Sequence, residues 1–494
     1  MDKTLFAKVQ PLVQKLEIQA PLSDERRAIF EEFLTIFPTY PPIWKQYISE
    51  ERNTSDSNTT ERVMKLYYRC LPNTPDVDLF LDYIDFIKNT CHDRKVICMA
   101  YDYALSKVGR DMNAIRLYED YVKIAETLNN NEMPLDKLRK VYQRALLVPM
   151  EGLQEFFKNY REFENRKSAQ LAQQLIPDQE RHFKATATVY HTKKKYHKQL
   201  NYLLCTMDDG GYSLLHQYRL FIEYEKLNPL NTNPETYREY VEYAYRVALA
   251  TLRYVPLLWL EYGQFLIDTD TTAALKVLAE AVEILPENLM LSFTYAELLE
   301  SKKKSAEACE IYRNLIKISE NKIDHLTLAT IQFLKFLQRT EGPTVMRKEF
   351  ISAVESSKCT YHLFLAVASI ENTVNVNQNA ALRILKYGLD FHSKDFNFIE
   401  GSLKLLIKME ANNEISEIIN GAKGKFSEVK MLGLYKIYYE YLLYSRKSED
   451  EKMLREVENK ILKIYQNPAN NIHQKETKNT MSLRRYFLPT DYKE

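Results

Sequence analysis

The sequence has few residues that reverse the direction of the chain. Glycine contributes 11 of its 494 residues and proline 17, whereas tyrosine and phenylalanine contribute 35 and 22, and charged residues make up 27%. Tight turns between strands draw heavily on glycine and proline, so this composition disfavours a fold of many short strands. Abundant aromatic and charged residues with little glycine are typical of long amphipathic helices. The composition therefore predicts an all-α chain.

Neither sign of charge predominates, and long apolar segments are absent. Lys+Arg 68 against Asp+Glu 67 gives a net charge of +1, which excludes a global field that would attract nucleic acid or an anionic membrane. No apolar run approaches the ~18 residues of a membrane-spanning helix. The amino-terminal segment MDKTLFAKVQ lacks the basic-then-apolar order of a secretion signal. With six cysteines that show no paired spacing, we expect a soluble intracellular protein with reduced thiols.

The short motifs of common catalytic and metal sites are also missing. The sequence contains no Gly-x-x-x-x-Gly-Lys, Gly-x-Gly-x-x-Gly, His-Glu-x-x-His or Cys-x-x-Cys. Cys91, His92 and Cys98 come closest to a zinc cluster, but adjacent ligands cannot share a helical face and no fourth ligand follows at regular spacing. We therefore expect no catalytic residue, cofactor or metal. An all-helical enzyme is the remote alternative, and it would need spaced acidic residues around a deep cavity.

The two tryptophans stand in the same local pattern. Pro-x-x-Trp-x-x-Tyr occurs as PPIWKQY at 41–47 and as PLLWLEY at 256–262. Aromatic residues at i, i+3 and often i+6 recur along the chain, and this spacing places them on one face of a helix. The steps between successive anchors of this kind are 36, 38, 39, 61 and 41 residues. These steps are typical of a two-helix repeat with one enlarged unit.

A second pattern lies between the aromatic segments. An aromatic residue or leucine is followed at i+3 and i+4 by a small and an aliphatic residue, as in Tyr142, Ala145 and Leu146. The small residue lets a neighbouring helix approach closely, and the rings fill the space beside it. Because one helix pair cannot cover its own apolar face, we predict an α-α superhelix (solenoid) of about 11–12 helix-pair repeats in two arcs. The predicted repeat core comprises Trp44, Tyr47, Tyr83, Tyr121, Tyr142, Ala145, Phe157, Tyr160, Tyr224, Trp259 and Tyr262.

The enlarged unit marks a predicted domain boundary. Residues 164–207 have the pattern of one unusually long second helix, which the adjacent glycines of DDGGY at 208–212 would end. We predict an amino-terminal domain at 1–207 with about five repeats and a carboxy-terminal domain at 212–466. Residues 467–494 lose the helical periodicity and are predicted to form a flexible tail.

Beyond residue 340 the apolar residues spread around the helices instead of following one stripe. Such a helix must bury more surface than one neighbour covers. Two explanations stay open at this point: a more fully packed end of the solenoid, or a subunit interface in a dimerisation region at about 340–466. The candidate interface residues are Phe396, Phe398, Leu405, Leu406, Leu434, Tyr438 and Tyr441.

Two basic segments are candidate docking sites. The first lies in the predicted long helix, and two interpretations of it stay open. It is a binding patch for RNA phosphates or for an acidic partner, with Tyr190 and Tyr196 available for base stacking, or it is the solvated face of that helix. The second lies in the tail, where basic and aromatic residues adjoin. The candidate residues are Lys193, Lys194, Lys195, His197 and Lys198 in the first segment and Arg484, Arg485, Tyr486 and Phe487 in the second.

These patterns resemble a known family. The alternating signatures are similar to HAT (half-a-TPR) repeats, and the segments at 100–109, 141–176 and 224–230 resemble the large scaffold subunit of the cleavage stimulation factor. The resemblance implies a nuclear, non-enzymatic homodimer with two HAT domains, dimerised through the second. It also implies that the protein bridges an RNA-binding subunit and other factors of mRNA 3′-end processing. Separately, we expect this chain to contact RNA only weakly or indirectly. A HAT scaffold of a splicing or ribosome-assembly particle is the alternative.

Overall fold

The computed structural model confirms the predicted all-α class. It describes residues 3–18, 21–54, 58–91, 93–128, 133–198, 200, 212–356, 360–445 and 450–466. Across these residues the backbone forms 24 α-helices and no strand. None of the helices in the described part of the chain is both long enough and apolar enough to cross a bilayer.

Contacts divide the chain into two compact units, Met1–Leu285 and Pro286–Glu494, which we call unit 1 and unit 2. The helices described in unit 1 are α1 (Lys3–Glu17), α2 (Asp24–Ile36), α3 (Pro41–Arg52), α4 (Thr59–Cys70), α5 (Val77–Thr90), α6 (Arg94–Val108), α7 (Ile115–Glu126), α8 (Leu135–Leu146), α9 (Leu153–Lys167), α10 (Ala169–His197), α11 (Tyr212–Lys226), α12 (Pro234–Thr251), α13 (Pro256–Thr269) and α14 (Thr271–Ile284). Those described in unit 2 are α15 (Leu289–Ser301), α16 (Ser305–Ile318), α17 (Ile323–Thr340), α18 (Pro343–Glu355), α19 (His362–Thr373), α20 (Gln378–His392), α21 (Phe396–Lys408), α22 (Asn412–Ala422), α23 (Glu428–Ser445) and α24 (Asp450–Gln466).

Consecutive helices pack as hairpins. Each odd-numbered helix packs against the even-numbered helix that follows it, from α1 with α2 to α23 with α24. The described helices therefore form twelve hairpins, seven in unit 1 and five in unit 2. This arrangement confirms the predicted stack of helix pairs, and the repeat number agrees with the spacing of the aromatic anchors.

Local sequence chemistry sets where these helices begin. Proline occupies the start of α3, α12, α13 and α18, where its missing N–H group would have had no partner within the helix. Other helices begin after a polar side chain that accepts a hydrogen bond from a backbone N–H of the first turn, which satisfies one unpaired donor. These capping residues are Ser23, Asp76, Asp93, Ser168, Asn233, Asp270, Asn288, Asn377 and Asp395.

The two tryptophans share one structural role. Both are buried, and each indole Nε1–H group donates to the carbonyl oxygen six residues earlier: Trp44 to Pro38 at 2.8 Å and Trp259 to Arg253 at 2.6 Å. The ring thus packs between helices while its N–H group fixes the loop that enters the helix. The pattern around each tryptophan is therefore architectural. The other predicted core residues are also buried, except Tyr83, which is half-buried against Tyr67.

The enlarged repeat contains the longest of the described helices. As the sequence pattern predicts, α10 continues without interruption for 29 residues and includes Pro177. The predicted domain boundary falls on 208–212, of which only Tyr212 lies within the described residues. The division into domains at 1–207 and 212–466 stays a prediction. Unit 1 extends past the predicted boundary to Leu285.

Helix α12 explains this extension, because it contacts loops far away in the sequence. The hydroxyl groups of Tyr240 and Tyr243 donate to the carbonyl oxygen of Leu147 at 3.4 Å and to Asp111 at 2.7 Å. Just after α12, the hydroxyl of Tyr254 donates to the carbonyl oxygen of Ile36 at 2.9 Å. The loops on either side of the fourth hairpin therefore contact α12, and the end of the first hairpin contacts the segment just after it. Almost every side chain in the second half of α12 is buried.

Small residues mark close helix contacts, and Gly388 of α20 provides a test. A methyl group there would lie 2.6 Å from Cζ of Phe398 and 3.2 Å from the ring of Phe364. We expect Gly388→Ala to lower the free energy of unfolding by about 1–3 kcal/mol, because the packed rings cannot all move away. Urea unfolding followed by circular dichroism measures this change.

The matched control is Gly421→Ala in α22, where an added methyl group meets no heavy atom within 4 Å. This change should raise stability by about 0.5–1 kcal/mol, since alanine favours a helix. If both variants gained stability, close packing at Gly388 would be refuted.

Candidate functional site

Buried glutamates recur at one position of the repeat. Each lies seven residues, or two helical turns, after an aromatic side chain of the first helix of a hairpin, so it faces the same side as that ring. All four side chains are at most 5% exposed. The pairs of aromatic residue and glutamate are Trp44 and Glu51, Phe157 and Glu164, Tyr218 and Glu225, and Phe364 and Glu371.

A cation from the preceding helix pairs with every one of these carboxylates. In three cases the cation is an arginine whose guanidinium contacts both carboxylate oxygens, which is the strong bidentate geometry. The shortest distances are 2.9 Å for Arg27 to Glu51, 2.7 Å for Arg139 to Glu164, 2.7 Å for Arg347 to Glu371 and 2.7 Å for Lys193 to Glu225. Buried ion pairs thus join successive hairpins.

The pair at Glu51 shows how the charge is retained in a buried position. Burial alone would raise the pKa of this carboxyl group, but hydrogen bonds from Arg27 and Arg62 hold the pKa below its usual value. The carboxylate therefore stays ionised, and the pair acts as a permanent connection between α2, α3 and α4.

Lys193 is the corresponding cation of the enlarged repeat. Its side chain and that of Glu225 are 4% and 5% exposed, and its ammonium group lies 5.1 Å from the ring centroid of Tyr240. The predicted RNA patch is therefore wrong at this residue. A lysine that is buried, paired and covered by an aromatic ring cannot neutralise a phosphate group at the surface.

The rest of the basic segment does not form one free cationic face either. Lys194 pairs with Glu151 at 2.7 Å and lies over the ring of Tyr190. Lys195 and Lys198 are exposed, as expected for the solvated face of a helix. Of the five residues of the predicted patch, these two lysines are the ones exposed at the surface.

The neighbouring aromatic and imidazole rings are already packed. The ring of Tyr196 stacks on that of Tyr224 with centroids 4.9 Å apart, so it is not available to stack on a base. His197 is half-buried near Phe221, and burial lowers its pKa. At neutral pH this histidine adds no positive charge to the segment.

A cleft of about 740 Å³ lies beside this region in unit 1. Its lining includes Asp76, Asp111, Glu151 and His197, and Lys45 pairs with Asp76 at 2.8 Å. Across the described residues, no three His, Cys, Asp or Glu side chains are grouped as metal ligands. Cys91, His92 and Cys98 were the residues closest to a zinc cluster in the sequence. Of these, Cys98 is buried in α6, and His92 lies outside the described residues.

Most of the predicted dimer residues lie inside unit 2. Phe398, Leu406, Leu434 and Tyr438 are buried by the chain itself, so the prediction that they form an intersubunit surface is wrong. The reason is that α17, α19, α21 and α23 pack successively on one another as well as on their hairpin partners. Phe396, Leu405 and Tyr441 are half-buried.

An exposed aromatic pair on α20 was not predicted from the sequence. The rings of Tyr387 and Phe391 are 5.1 Å apart, and these residues are 39% and 56% exposed. Their i, i+4 spacing is a sequence signal, but it lies outside the recurrent aromatic pattern. The predicted docking residues of the tail, Arg484, Arg485, Tyr486 and Phe487, lie outside the described residues.

Comparison with known proteins identifies the family. The family model described as Suppressor of forked protein (Suf) matches residues 2–490. The chain belongs to the Suppressor of forked family. The Cleavage stimulation factor subunit 77 of Arabidopsis thaliana is 28% identical, with 85% of this chain and 58% of that protein covered. The Protein suppressor of forked of Drosophila melanogaster is 27% identical over 76% of this chain and 56% of its own length.

The family likeness extends to the fold. A crystal structure titled CstF-77 superimposes with a TM-score of 0.59 at 17% identity, covering 91% of this chain and 90% of that one. The Schizosaccharomyces pombe family relative, mRNA 3′-end-processing protein rna14, is 22% identical over 85% of this chain. The chain spans 58% and 56% of the lengths of the Arabidopsis and Drosophila relatives.

Proposed function

We propose that this protein is a non-catalytic, dimeric scaffold of the pre-mRNA 3′-end cleavage and polyadenylation machinery. The observation that supports it most strongly is the family match across residues 2–490. Relatives carry names of a cleavage stimulation factor subunit and of mRNA 3′-end-processing proteins. Because no relative reported above is a splicing or ribosome-assembly protein, that alternative is not favoured.

The proposed mechanism is geometric. Within each unit, buried ion pairs join successive hairpins and large aromatic rings fill the core, which limits the movement of one hairpin relative to the next. Partners bound to such a repeat stay at a set separation, which raises their effective concentration around one RNA. The proposed partners are an RNA-binding subunit and other cleavage and polyadenylation factors, and the proposed location is the nucleus.

Affinity purification of the full chain from its source cell tests this role. The expected result is co-purification, in stoichiometric amounts, of an RNA-binding protein together with factors of 3′-end processing. A predominance of splicing or ribosome-assembly proteins would instead support a different scaffold role.

We also propose that the homodimer forms through the carboxy-terminal HAT domain, within the region 340–466. Tyr387 and Phe391 support this proposal because they place two large rings on the surface of unit 2. Aromatic residues are enriched at protein interfaces, where they contribute much of the binding energy.

Sedimentation of the full chain at micromolar concentration should give twice its mass of 58.3 kDa. The double change of Tyr387→Lys and Phe391→Glu should shift the equilibrium to monomers, since it places charges in the apolar contact. Leu227→Glu, at a residue of unit 1 that is 77% exposed, is the control and should remain dimeric. A monomeric wild-type protein would refute dimerisation.

A further inference from the structure

A groove of about 420 Å³ lies in unit 2 between α20 and α22, above α21. This volume falls within the ~300–1,000 Å³ range of binding pockets. All three helices contribute apolar side chains to it: Leu382, Leu385 and Leu389 from α20, Ile399 and Leu406 from α21, and Ile418 from α22. Because contact of such a surface with water is unfavourable, the groove is a candidate docking site.

The groove exists because two aromatic rings of the repeat pattern are missing there. In other hairpins the second helix carries a buried tyrosine followed at i+3 by a small residue. These tyrosines, at most 2% exposed, are Tyr67, Tyr101, Tyr142 and Tyr245. In α20 and α22 the tyrosine is replaced by Leu385 and Ile418, which are followed at i+3 by Gly388 and Gly421. A methyl group at Gly421, in the wall of the groove, would meet no heavy atom within 4 Å.

Charged side chains line the rim of the groove. Lys386 and Glu417 form a pair at 3.6 Å, and because they are 58% and 66% exposed, this pair is easily opened. Asp390 of α20, Glu414 of α22 and Lys425 have no ion-pair partner within the part of the chain that the structure describes. Two unpaired carboxylates against one unpaired cation favour an apolar ligand that carries positive charges.

The segment 483–488 of the tail has this chemistry. Its sequence, LRRYFL, places Tyr486 and Phe487 beside Arg484 and Arg485, with a leucine at each end. It therefore offers two rings where the groove lacks two, and two guanidinium groups for two carboxylates, a strong pairing.

The tail begins close to the groove. It follows α24, whose hairpin partner α23 packs on α21. Packed helices lie ~8–10 Å apart, so only a few helix widths separate the end of α24 at Gln466 from the groove. The 16 residues at 467–482 connect this end to Leu483, and a chain of that length spans up to about 50 Å. The segment is thus long enough to reach the groove of its own chain.

We propose that residues 483–488 dock in the groove between α20 and α22 of the same chain. The rings of Tyr486 and Phe487 cover the apolar lining, and the two arginines pair with Asp390 and Glu414. This inference goes beyond the scaffold role, because it makes access of other proteins to the tail depend on its release from the groove.

Fluorescence anisotropy with the full-length protein tests the docking. The probe is a fluorescein-labelled peptide with the sequence of residues 480–491, TMSLRRYFLPTD. In the wild type, the chain's own tail holds the groove at an effective concentration of roughly millimolar and excludes most of the peptide. The tail variant, Arg484→Glu with Arg485→Glu, should release its own tail and bind the peptide at least about tenfold more tightly.

Further changes in the groove of the tail variant should weaken the peptide again. Gly421→Phe places a ring in the open space and should weaken binding by about tenfold or more. Asp390→Asn with Glu414→Gln removes both carboxylates and should weaken it by about three- to tenfold. The matched control, Asp324→Asn with Glu456→Gln, removes two exposed carboxylates of unit 2 outside the groove and should change nothing.

Two results would overturn the proposal. The first is peptide binding that is absent, or equally tight for the wild type and the tail variant. Equally tight binding would mean that the groove is free in the wild type and open to a segment of another protein. The second is equally tight binding of a peptide in which both arginines are replaced by glutamate, since the carboxylates at the rim would then have no role.

Discussion

Replacing Lys193 with methionine should lower the free energy of unfolding of unit 1 by about 3–5 kcal/mol. The ammonium group lies 2.7 Å from the Glu225 carboxylate, and both side chains are almost fully buried. Methionine retains most of the volume but leaves a buried carboxylate without its partner. Both tryptophans lie in unit 1, so urea unfolding followed by tryptophan fluorescence reports on this unit.

Lys194→Met is the control for this experiment. It removes the same charge one residue later, but the pair of Lys194 with Glu151 is open to solvent, at 32% and 69% exposure. Its loss should cost at most about 1 kcal/mol. Combining Lys193→Met with Glu225→Leu should recover much of the lost stability, since no unpaired charge remains. Similar costs for the two single lysine changes would contradict the assigned role of Lys193.

Removing the indole of Trp44 should have an effect of similar size. Trp44→Ala leaves a cavity at a residue that is 2% exposed and should cost about 3–5 kcal/mol. It also removes the donor that binds the carbonyl oxygen of Pro38 at 2.8 Å. Fluorescence of the remaining Trp259 follows unfolding of the same unit.

Trp44→Phe separates the two contributions. It keeps an aromatic ring in place but loses the hydrogen bond to Pro38, so a cost of roughly 1–2 kcal/mol is expected. The reciprocal change, Trp259→Phe, loses the bond to Arg253 and should cost a similar amount. An alanine variant of Trp44 as stable as the wild type would show that the tryptophan pattern does not support the hairpin stack.

The repeat architecture was predictable because its cause is local. Trp44 and Tyr47 lie within four residues of each other, and the spacing of such pairs follows from the geometry of one helix. The proline before each tryptophan likewise acts within the first helical turn. The number of residues between successive aromatic anchors then predicted the length of the repeat and the position of the enlarged unit, which contains the long helix α10.

The role of Lys193 was not predictable from its neighbours, because its partners lie 32 and 47 residues away, at Glu225 and Tyr240. A signal was nevertheless present in the recurrence of glutamate seven residues after an anchor, as in Trp44 and Glu51. The apolar excess beyond residue 340 was ambiguous for a similar reason. Periodicity shows that a helix buries several faces, but it does not distinguish another helix of the same chain from a second subunit.

The position of α12 in the chain also bears on how the protein is made. The loops at Ile36, Asp111 and Leu147 all contact this helix or the residues just after it. A ribosome releases the amino terminus first, so five hairpins emerge before residue 234, where α12 begins. Until then the surfaces that will enclose α12 stay uncovered, and a nascent chain interrupted in this interval would be a natural substrate for chaperones.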